Sequence, residues 1–338
     1  MSETASAPTT TRNLRVGLIG LGSMGRHHAR VIRATPGMEL VAVADPGGDR
    51  FGVAGDLELL PDVAALIDVG LDAAMVAVPT VYHEEVALAL AEAGVPTMVE
   101  KPIAHSVQAG RRVADAFASR DLVGAVGYVE RCNPALRALR ERLDAGELGQ
   151  VYQVLTRRQG PFPARISDVG VVKDLATHDI DLTAWVAGSP YCSISAQVTH
   201  RSGRANEDMV VANGLLANGV IVSHTVNWLT PFKERVTIVT GEKGAFVADT
   251  LTGDLTFHAN GTVESSWDQV ANFRGVSEGD VIRYAIPKRE PLALEQERFR
   301  DAVRGVGHEH VTMAEGADTL AVVEAVLTSA SENRVVGL

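Results

Sequence analysis

The sequence predicts an α/β protein of two domains: an N-terminal Rossmann domain with a doubly wound parallel sheet, and a C-terminal α/β domain with a large, mostly antiparallel open sheet. Three observations carry this. From Leu14 to about Gly127, short β-branched apolar runs alternate with longer amphipathic stretches, the pattern of βαβ units around a parallel sheet. A Gly-x-Gly-x-x-Gly segment, Gly20–Gly25, follows the first apolar run directly. From Val151 to about Phe257 the chain becomes strand-like, with Asn218-Gly219 and Gly253-Asp254 as tight hairpin turns.

In the first domain the strands are read over Arg15–Gly20, Leu40–Asp45, Ala73–Val78, Thr97–Glu100 and Val123–Gly127. Between them, Met24–Thr35, Asp62–Val69, His83–Ala93 and Ser106–Ser119 space their apolar residues as helices do, with Asp62 and Ser106 as N-caps. A helix begins near Asn133, and a glycine-rich break follows at Ala145–Gly149. Within the strand-rich second domain, Val171–Val186 returns to helical spacing and carries an unusual set of polar groups. Two helices, Leu292–Arg304 and Ala314–Ser331, close the chain.

The 338 residues, 46% hydrophobic, are too many for one comfortable core and apolar enough for two. The expected divisions are a disordered tail over 1–12, the Rossmann domain over 13–127 and the second domain over 128–338. The tail is rich in Ser, Thr, Ala and Pro and has no apolar run of signal-peptide type. A net charge of −11 without a Lys/Arg block disfavours nucleic acid and acidic membranes, which points to a small-molecule partner. No stretch of about 18 apolar residues is present, so the chain is expected to be soluble and cytoplasmic. Cys132 and Cys192 read as reduced residues, with neither a disulfide nor a metal site.

At Gly20–Gly25 the first glycine permits a tight turn, the second lets a pyrophosphate approach the backbone, and the third lets helix and strand pack closely. The pyrophosphate would rest on free N–H groups at the positive end of the helix, which makes Gly20, Gly22, Ser23, Met24 and Gly25 candidate cofactor residues. Asp45 ends the next strand, twenty residues past Gly25. A carboxylate there bonds the adenosine ribose and repels a 2′-phosphate, so the expected cofactor is NAD. His27 and His28 read as helix-face residues under the cofactor. Thr80 and His83 follow the strand ending at Val78, where the ligand crevice of an open sheet lies. Either fits a contact with the nicotinamide ribose, and either also fits a helix N-cap region.

Glu100-Lys101-Pro102 ends another parallel strand and brings a lysine to the same crevice, with Glu100 counted among the cofactor residues. A cationic ring and partial burial both disfavour a charged lysine, which suits Lys101 as a proton acceptor or polarising donor. Asp174, His178 and Asp181 fall at i, i+4 and i+7, so one helical face would carry all three, with Asp179 pointing elsewhere. His178 suits removal of an alcohol proton, and Asp174 suits orienting it or bonding the substrate. A solvated polar face with Asp181 as an ordinary surface acid accounts for the same spacing.

These residues resemble the glucose-fructose oxidoreductase, inositol dehydrogenase and rhizopine catabolism protein (Gfo/Idh/MocA) oxidoreductases. The likeness rests on Gly20–Gly25, Asp45, Glu100-Lys101-Pro102, Gly127-Tyr128 through Asn133-Pro134, and Asp174-Leu-Ala-Thr-His178-Asp-Ile-Asp181. It implies catalytic and substrate-binding roles for Lys101, Asp174 and His178, with Tyr128 also at the substrate. It further implies an open sheet that joins subunits, for which the apolar runs Val220–Val226 and Val236–Val239 suit a homodimer or homotetramer. The chain departs from many members at Val169-Gly170, where they have two glycines, and at Lys173, where they have an apolar residue. Gly160 to Val171 is similar to a subgroup that oxidises the sugar 3-hydroxyl of UDP-N-acetylglucosamine, with Arg165 suited to a diphosphate. The expected reaction is thus NAD-dependent oxidation of a secondary hydroxyl on a nucleotide sugar. Inositol or a free sugar is the alternative substrate, a non-catalytic NAD or sugar sensor is the alternative function, and a non-dissociating NAD serving another reaction is a third.

Overall fold

The structure, a computed structural model, describes residues 12–163, 169–261 and 278–338. It divides into two compact units, one reaching Gly127 and adding Leu292–Ala314, the other comprising Tyr128–Pro291 and Glu315–Leu338. The tail expected over 1–12 lies outside the described residues except for Arg12, whose guanidinium holds both oxygens of Asp72 at 2.6 Å. Among the described residues no helix is long and apolar enough to cross a membrane.

The first unit runs β1 (Leu14–Ile19), α1 (Gly25–Ala34), β2 (Met38–Ala44), β3 (Leu59–Leu60), α2 (Val63–Asp68), β4 (Ala73–Val76), a 3-10 turn (Thr80–Tyr82), α3 (His83–Glu92), β5 (Thr97–Glu100), α4 (Val107–Ala118) and β6 (Gly124–Gly127). Its sheet has the order β3-β2-β1-β4-β5-β6, with every pair parallel. The chain steps outward from β1 to β2 and β3, then crosses back to β4 on the other side of β1, so the order reverses between β1 and β4. That reversal is where an open α/β sheet opens its ligand crevice. Asp62 caps α2 through Ala65 N–H at 2.9 Å, and Ser106 caps α4 through Ala109 N–H.

The strands are largely apolar and buried from β1 to β6, as a parallel sheet covered on both faces requires. Val16 and Leu18 of β1 meet Ala29 and Ile32 of α1, together with Met75, Met98 and the fully buried Phe299. Gly17, between them, faces the other way, where an added Cβ would strike Leu71 and crowd Leu66 of α2. Phe299 belongs to α7 (Pro291–Val303), a helix read from sequence as part of the second domain. Its apolar face fills the first unit's core instead, and the chain beyond it pairs with β6 through Val126 N–H and Val311 O at 2.9 Å.

The second unit begins with α5 (Pro134–Asp144), capped by Asn133. It continues through β7 (Val151–Pro161), a π-helical turn (Val172–Ala176), α6 (Thr177–Ala187), β8 (Tyr191–Thr199), β9 (Met209–Leu216), β10 (Ile221–Asn227), β11 (Leu229–Gly241), β12 (Gly244–Asp249), β13 (Asp254–Asn260), β14 (Glu278–Arg283), α8 (Met313–Glu332) and β15 (Val336–Gly337). The nine strands lie in the order β14-β13-β12-β11-β7-β10-β9-β8-β15, antiparallel except for β7 beside β10. The expected turn at Asn218-Gly219 closes β9 onto β10, with Gly219 at φ 84°. One sheet face receives α5 and α6, which lie against β12–β13 and β7. The opposite face turns Val211, Leu215 and Ile221 outward.

Candidate active site

The glycines of the β1–α1 turn divide their work. Gly20 has φ 92°, and a Cβ there would lie 2.4 Å from the Ala77 carbonyl carbon; at Gly25 it would lie 1.9 Å from the Gly20 oxygen. Gly20 is consumed by packing the turn onto the chain after β4, and Gly25 by packing the head of α1 onto the turn itself. Gly22 is exposed, and a Cβ on it would meet nothing within 4 Å. The backbone is therefore bare on the side that a pyrophosphate needs. Behind it, α1 has no side-chain cap at Met24 and no acid in its first turn, so its positive end is left to a ligand. Ser23 and Met24 stand half-buried at this helix head. The Asp45 carboxylate is pinned beside the turn, Oδ2 accepting from Leu21 N–H at 2.7 Å and Oδ1 from Gly47 N–H at 2.8 Å. Thr80 opens the 3-10 turn after β4 and is half-buried. These residues fit a dinucleotide.

His83 and Glu100, both expected at the cofactor, are committed to the protein. The buried His83 ring has Nδ1 2.8 Å from Pro102 O and Nε2 2.9 Å from Val78 O, tying the end of β4 to the segment after β5. Burial lowers its pKa, so the imidazole is neutral and donates to one of the two carbonyls. Glu100 is buried with Oε1 2.7 Å from Nε2 of His28, while Oε2 accepts from the Lys101 N–H at 3.1 Å. Burial pushes its carboxyl upward, but the bond from His28 and the nearby charge of Lys101 outweigh it and hold the group below the usual range. Lys101 is half-buried and is followed by a cis peptide bond to Pro102. His28 does lie on the inner face of α1, but its ring is engaged from both sides, with Gln296 of α7 at Nδ1. Its spacing from Gly25 puts it on the inner face; nothing in the sequence signals Gln296.

In the second unit, the segment with Asp174 and His178 does not run as one α-helix. Val172–Ala176 forms a wide π-turn before α6 starts at Thr177. Such single turns are frequent at functional sites, and this one breaks the i, i+4, i+7 spacing on which a shared face depends. Asp174 is buried in the π-turn, and His178 is half-buried at the start of α6. Glu207 fixes the entrance, its backbone oxygen accepting from Val171 N–H and its Oε1 from Val172 N–H, each at 3.0 Å. Gly170 leaves room for the Glu207 carboxylate, which a Cβ there would push off the Val172 N–H.

The other acids of the motif are structural. Asp181, weighed as a site or surface acid, is fully buried on Arg131. Asp179 does point elsewhere: its Oδ2 accepts from Nε of the buried Arg158 at 2.9 Å, and Arg158 also holds Glu130 at 2.8 Å. Burial raises the pKa of both aspartates despite these partners. Tyr128, expected to bind substrate, is buried with its hydroxyl 3.0 Å from Thr177 Oγ1. Its ring meets His178 edge-on, with centroids 6.2 Å apart, so it packs the imidazole rather than offering a phenol to a ligand. Arg165 lies outside the described residues.

A doubly wound parallel sheet with a bare glycine turn at its switch point and a pinned acid beside that turn defines a dinucleotide-binding oxidoreductase. Residues 14–128 match the family described as "Oxidoreductase family, NAD-binding Rossmann fold", and residues 136–247 match the "GFO/IDH/MocA C-terminal domain". The chain belongs to the Gfo/Idh/MocA oxidoreductase family; it is a dehydrogenase acting on CH–OH groups, and its cofactor is NAD. It is 31% identical over 298 residues to the UDP-N-acetylglucosamine 3-dehydrogenase of Acidithiobacillus ferrooxidans, a match covering 86% of this chain and 89% of that one. It is 33% identical to inositol 2-dehydrogenase 2 of Saccharopolyspora erythraea, over 62% of this chain and 65% of that relative. The solved structure of the Acidithiobacillus enzyme superposes with a TM-score of 0.83 at 26% identity, covering 95% of this chain and 99% of that one.

Proposed function

We propose that this chain oxidises a secondary hydroxyl of a nucleotide sugar. Gly20, Gly22, Ser23, Met24 and Gly25 hold the cofactor pyrophosphate, Asp45 its adenosine ribose, and Thr80 lies toward the nicotinamide end. Bound NAD supplies the acceptor for the hydride that leaves the substrate carbon. Lys101 and His178 hold and move the hydroxyl proton, and Asp174 orients the substrate. His83 and Tyr128 act one step back, the first tying Val78 to Pro102 and the second bracing the His178 ring.

The observation that carries this reading is the π-turn, which sets a buried aspartate directly ahead of a half-buried histidine. A π-turn is the kind of irregularity that recurs at functional sites, and this one carries an acid just ahead of an imidazole. The nucleotide-sugar assignment is supported by the match along 89% of the UDP-N-acetylglucosamine 3-dehydrogenase. Inositol is the second reading, favoured by the 33% identity to an inositol 2-dehydrogenase over a shorter span. We also assign the outward face of the second sheet, with Val211, Leu215 and Ile221, to contact between subunits.

The test is nicotinamide reduction with a panel of UDP-sugars, free sugars and inositols. Turnover of UDP-N-acetylglucosamine is expected. Turnover of inositol alone moves the assignment to the second reading, and tight NAD binding without turnover of any member would sink the enzymatic one.

A further inference from the structure

We propose that His28 and Gln296 are positioning residues for Lys101, acting by holding the neighbouring Glu100 carboxylate in place and in its charged form. The inference rests on the reading of Lys101 as a proton-handling group.

His28 lies in the first turn of α1 and is wholly buried, as is Gln296 on α7. The ring bridges them, with Nε2 2.7 Å from Glu100 Oε1 and Nδ1 2.8 Å from Gln296 Nε2. A carboxylate only accepts, so the ring proton belongs on Nε2, and a neutral Nδ1 then accepts from the amide N–H. The amide orientation has independent support. Its nitrogen also lies 3.8 Å from Met75 Sδ, so two acceptors face the two hydrogens of one amide group. Turned over, the amide would present its oxygen to sulfur and call for a proton on Nδ1, making the ring a cation. Gln296 thus selects the neutral Nε2–H tautomer, at the expense of leaving its own buried Oε1 without a hydrogen-bond partner.

What this does for Lys101 follows from the carboxylate. Glu100 is buried, a setting that favours the protonated acid. The bond from His28 leads what opposes that, with the charge of Lys101 adding to it. Oε2 is meanwhile folded onto the Lys101 N–H. The result is a fixed negative charge beside the lysine. Remove the histidine and the carboxylate loses the bond that fixes Oε1, so the negative charge beside Lys101 is no longer held in place.

The test needs no substrate. In the NAD-loaded full chain, competitive acetylation across pH, read on the Lys101 peptide by mass spectrometry, gives the pH at which this amine becomes reactive. His28→Leu and Gln296→Leu are expected to lower that midpoint by about half a unit to one unit, and Glu100→Gln by at least as much. His28→Leu added to Glu100→Gln should shift it no further, because both act through one carboxylate. An unchanged midpoint in both leucine variants, with Glu100→Gln still shifting it, overturns the proposal. If His28→Leu fails to fold, nitrogen-15 spectra of the native chain decide instead: a neutral Nε2–H tautomer is expected, and an Nδ1–H tautomer or an imidazolium at neutral pH overturns it. Failure of the Lys101 role shows separately, as turnover that survives Lys101→Ala.

Discussion

Arg131 takes both carboxylate oxygens of Asp181, Nε bonding Oδ2 at 2.9 Å and Nη2 bonding Oδ1 at 2.7 Å. The same guanidinium reaches Glu315 of α8 at 2.6 Å, so it joins the segment before α5 to α6 and to the last long helix. Asp181 therefore belongs to the scaffold. Asp181→Asn should cost about 3 kcal/mol, because it leaves a largely buried guanidinium short of a counter-charge. Urea denaturation measures this, while kcat/KM of the folded fraction should stay within a few-fold of native. A large kinetic loss at unchanged stability would return Asp181 to the site.

The cofactor turn makes a sharper prediction, because its glycines differ in what they leave room for. Gly22→Ala places a Cβ in open space, at a backbone angle any residue adopts, so stability should change by less than about 0.5 kcal/mol. NAD affinity should nevertheless fall about tenfold or more, as the Cβ occupies the side reserved for the pyrophosphate. Gly20→Ala and Gly25→Ala should fail to fold, given the backbone overlaps a Cβ would make. In the native chain NAD should bind at least about tenfold more tightly than NADP, a preference that Asp45→Ala removes. Fluorescence titration reads both.

Much of the first unit is visible in the sequence because its signals are local. Alternating runs, the glycine turn and the caps Asp62 and Ser106 each act within a few residues, and all lie where the pattern puts them. The two-residue strand β3 is too short to leave a pattern. The polar cluster misleads for the opposite reason. Whether Asp179 or Asp181 is catalytic or structural depends on Arg158 and Arg131, each about twenty residues or more away and brought in only by folding. The π-turn is equally hidden, since helical periodicity does not register one extra residue in a turn. The affiliation of α7 follows from Phe299, whose partners are set by the other end of the chain.

Acid should weaken the second unit through His224. Its ring sits between Thr156 Oγ1 at 2.8 Å and the Tyr191 hydroxyl at 2.9 Å, and burial pushes the imidazole down to about 4. A histidine neutral in the fold but ionisable when unfolded contributes stability that is fully present above about 6.5 and is lost as pH falls toward 4. The loss amounts to about 3 kcal/mol across that window. Melting curves should therefore fall more steeply with acid in the native chain than in His224→Gln. Parallel curves would remove His224 from this role.

The outward face of the second sheet pairs Ile221 with Leu215 in register, and Val211 lies further along the same strand. All three are exposed, although sheets in monomers seldom show such a cluster to water. Light scattering should report a dimer or tetramer, and Ile221→Lys combined with Leu215→Glu should shift it to the monomer. A native monomer at micromolar concentration contradicts the assignment.

The catalytic roles stand or fall on Lys101, Asp174 and His178. A positioned general acid or base contributes about 10² to 10⁴ in rate, so Lys101→Ala or His178→Ala should lower kcat/KM by that order. NAD affinity should stay within a few-fold, because neither residue belongs to the glycine turn or to Asp45. Asp174→Asn should cost less if the carboxylate only orients the substrate, since the amide keeps an acceptor in the same place. Tyr128→Phe offers a control for position: it removes the bond to Thr177 while keeping the ring against His178, so it should cost about 1 kcal/mol of stability and little rate. Stopped-flow measurement of NADH formation separates the chemical step from product release. A solvated polar segment with no part in the reaction predicts native rates for the His178 and Asp174 variants, and native rates on the true substrate would end the case for them.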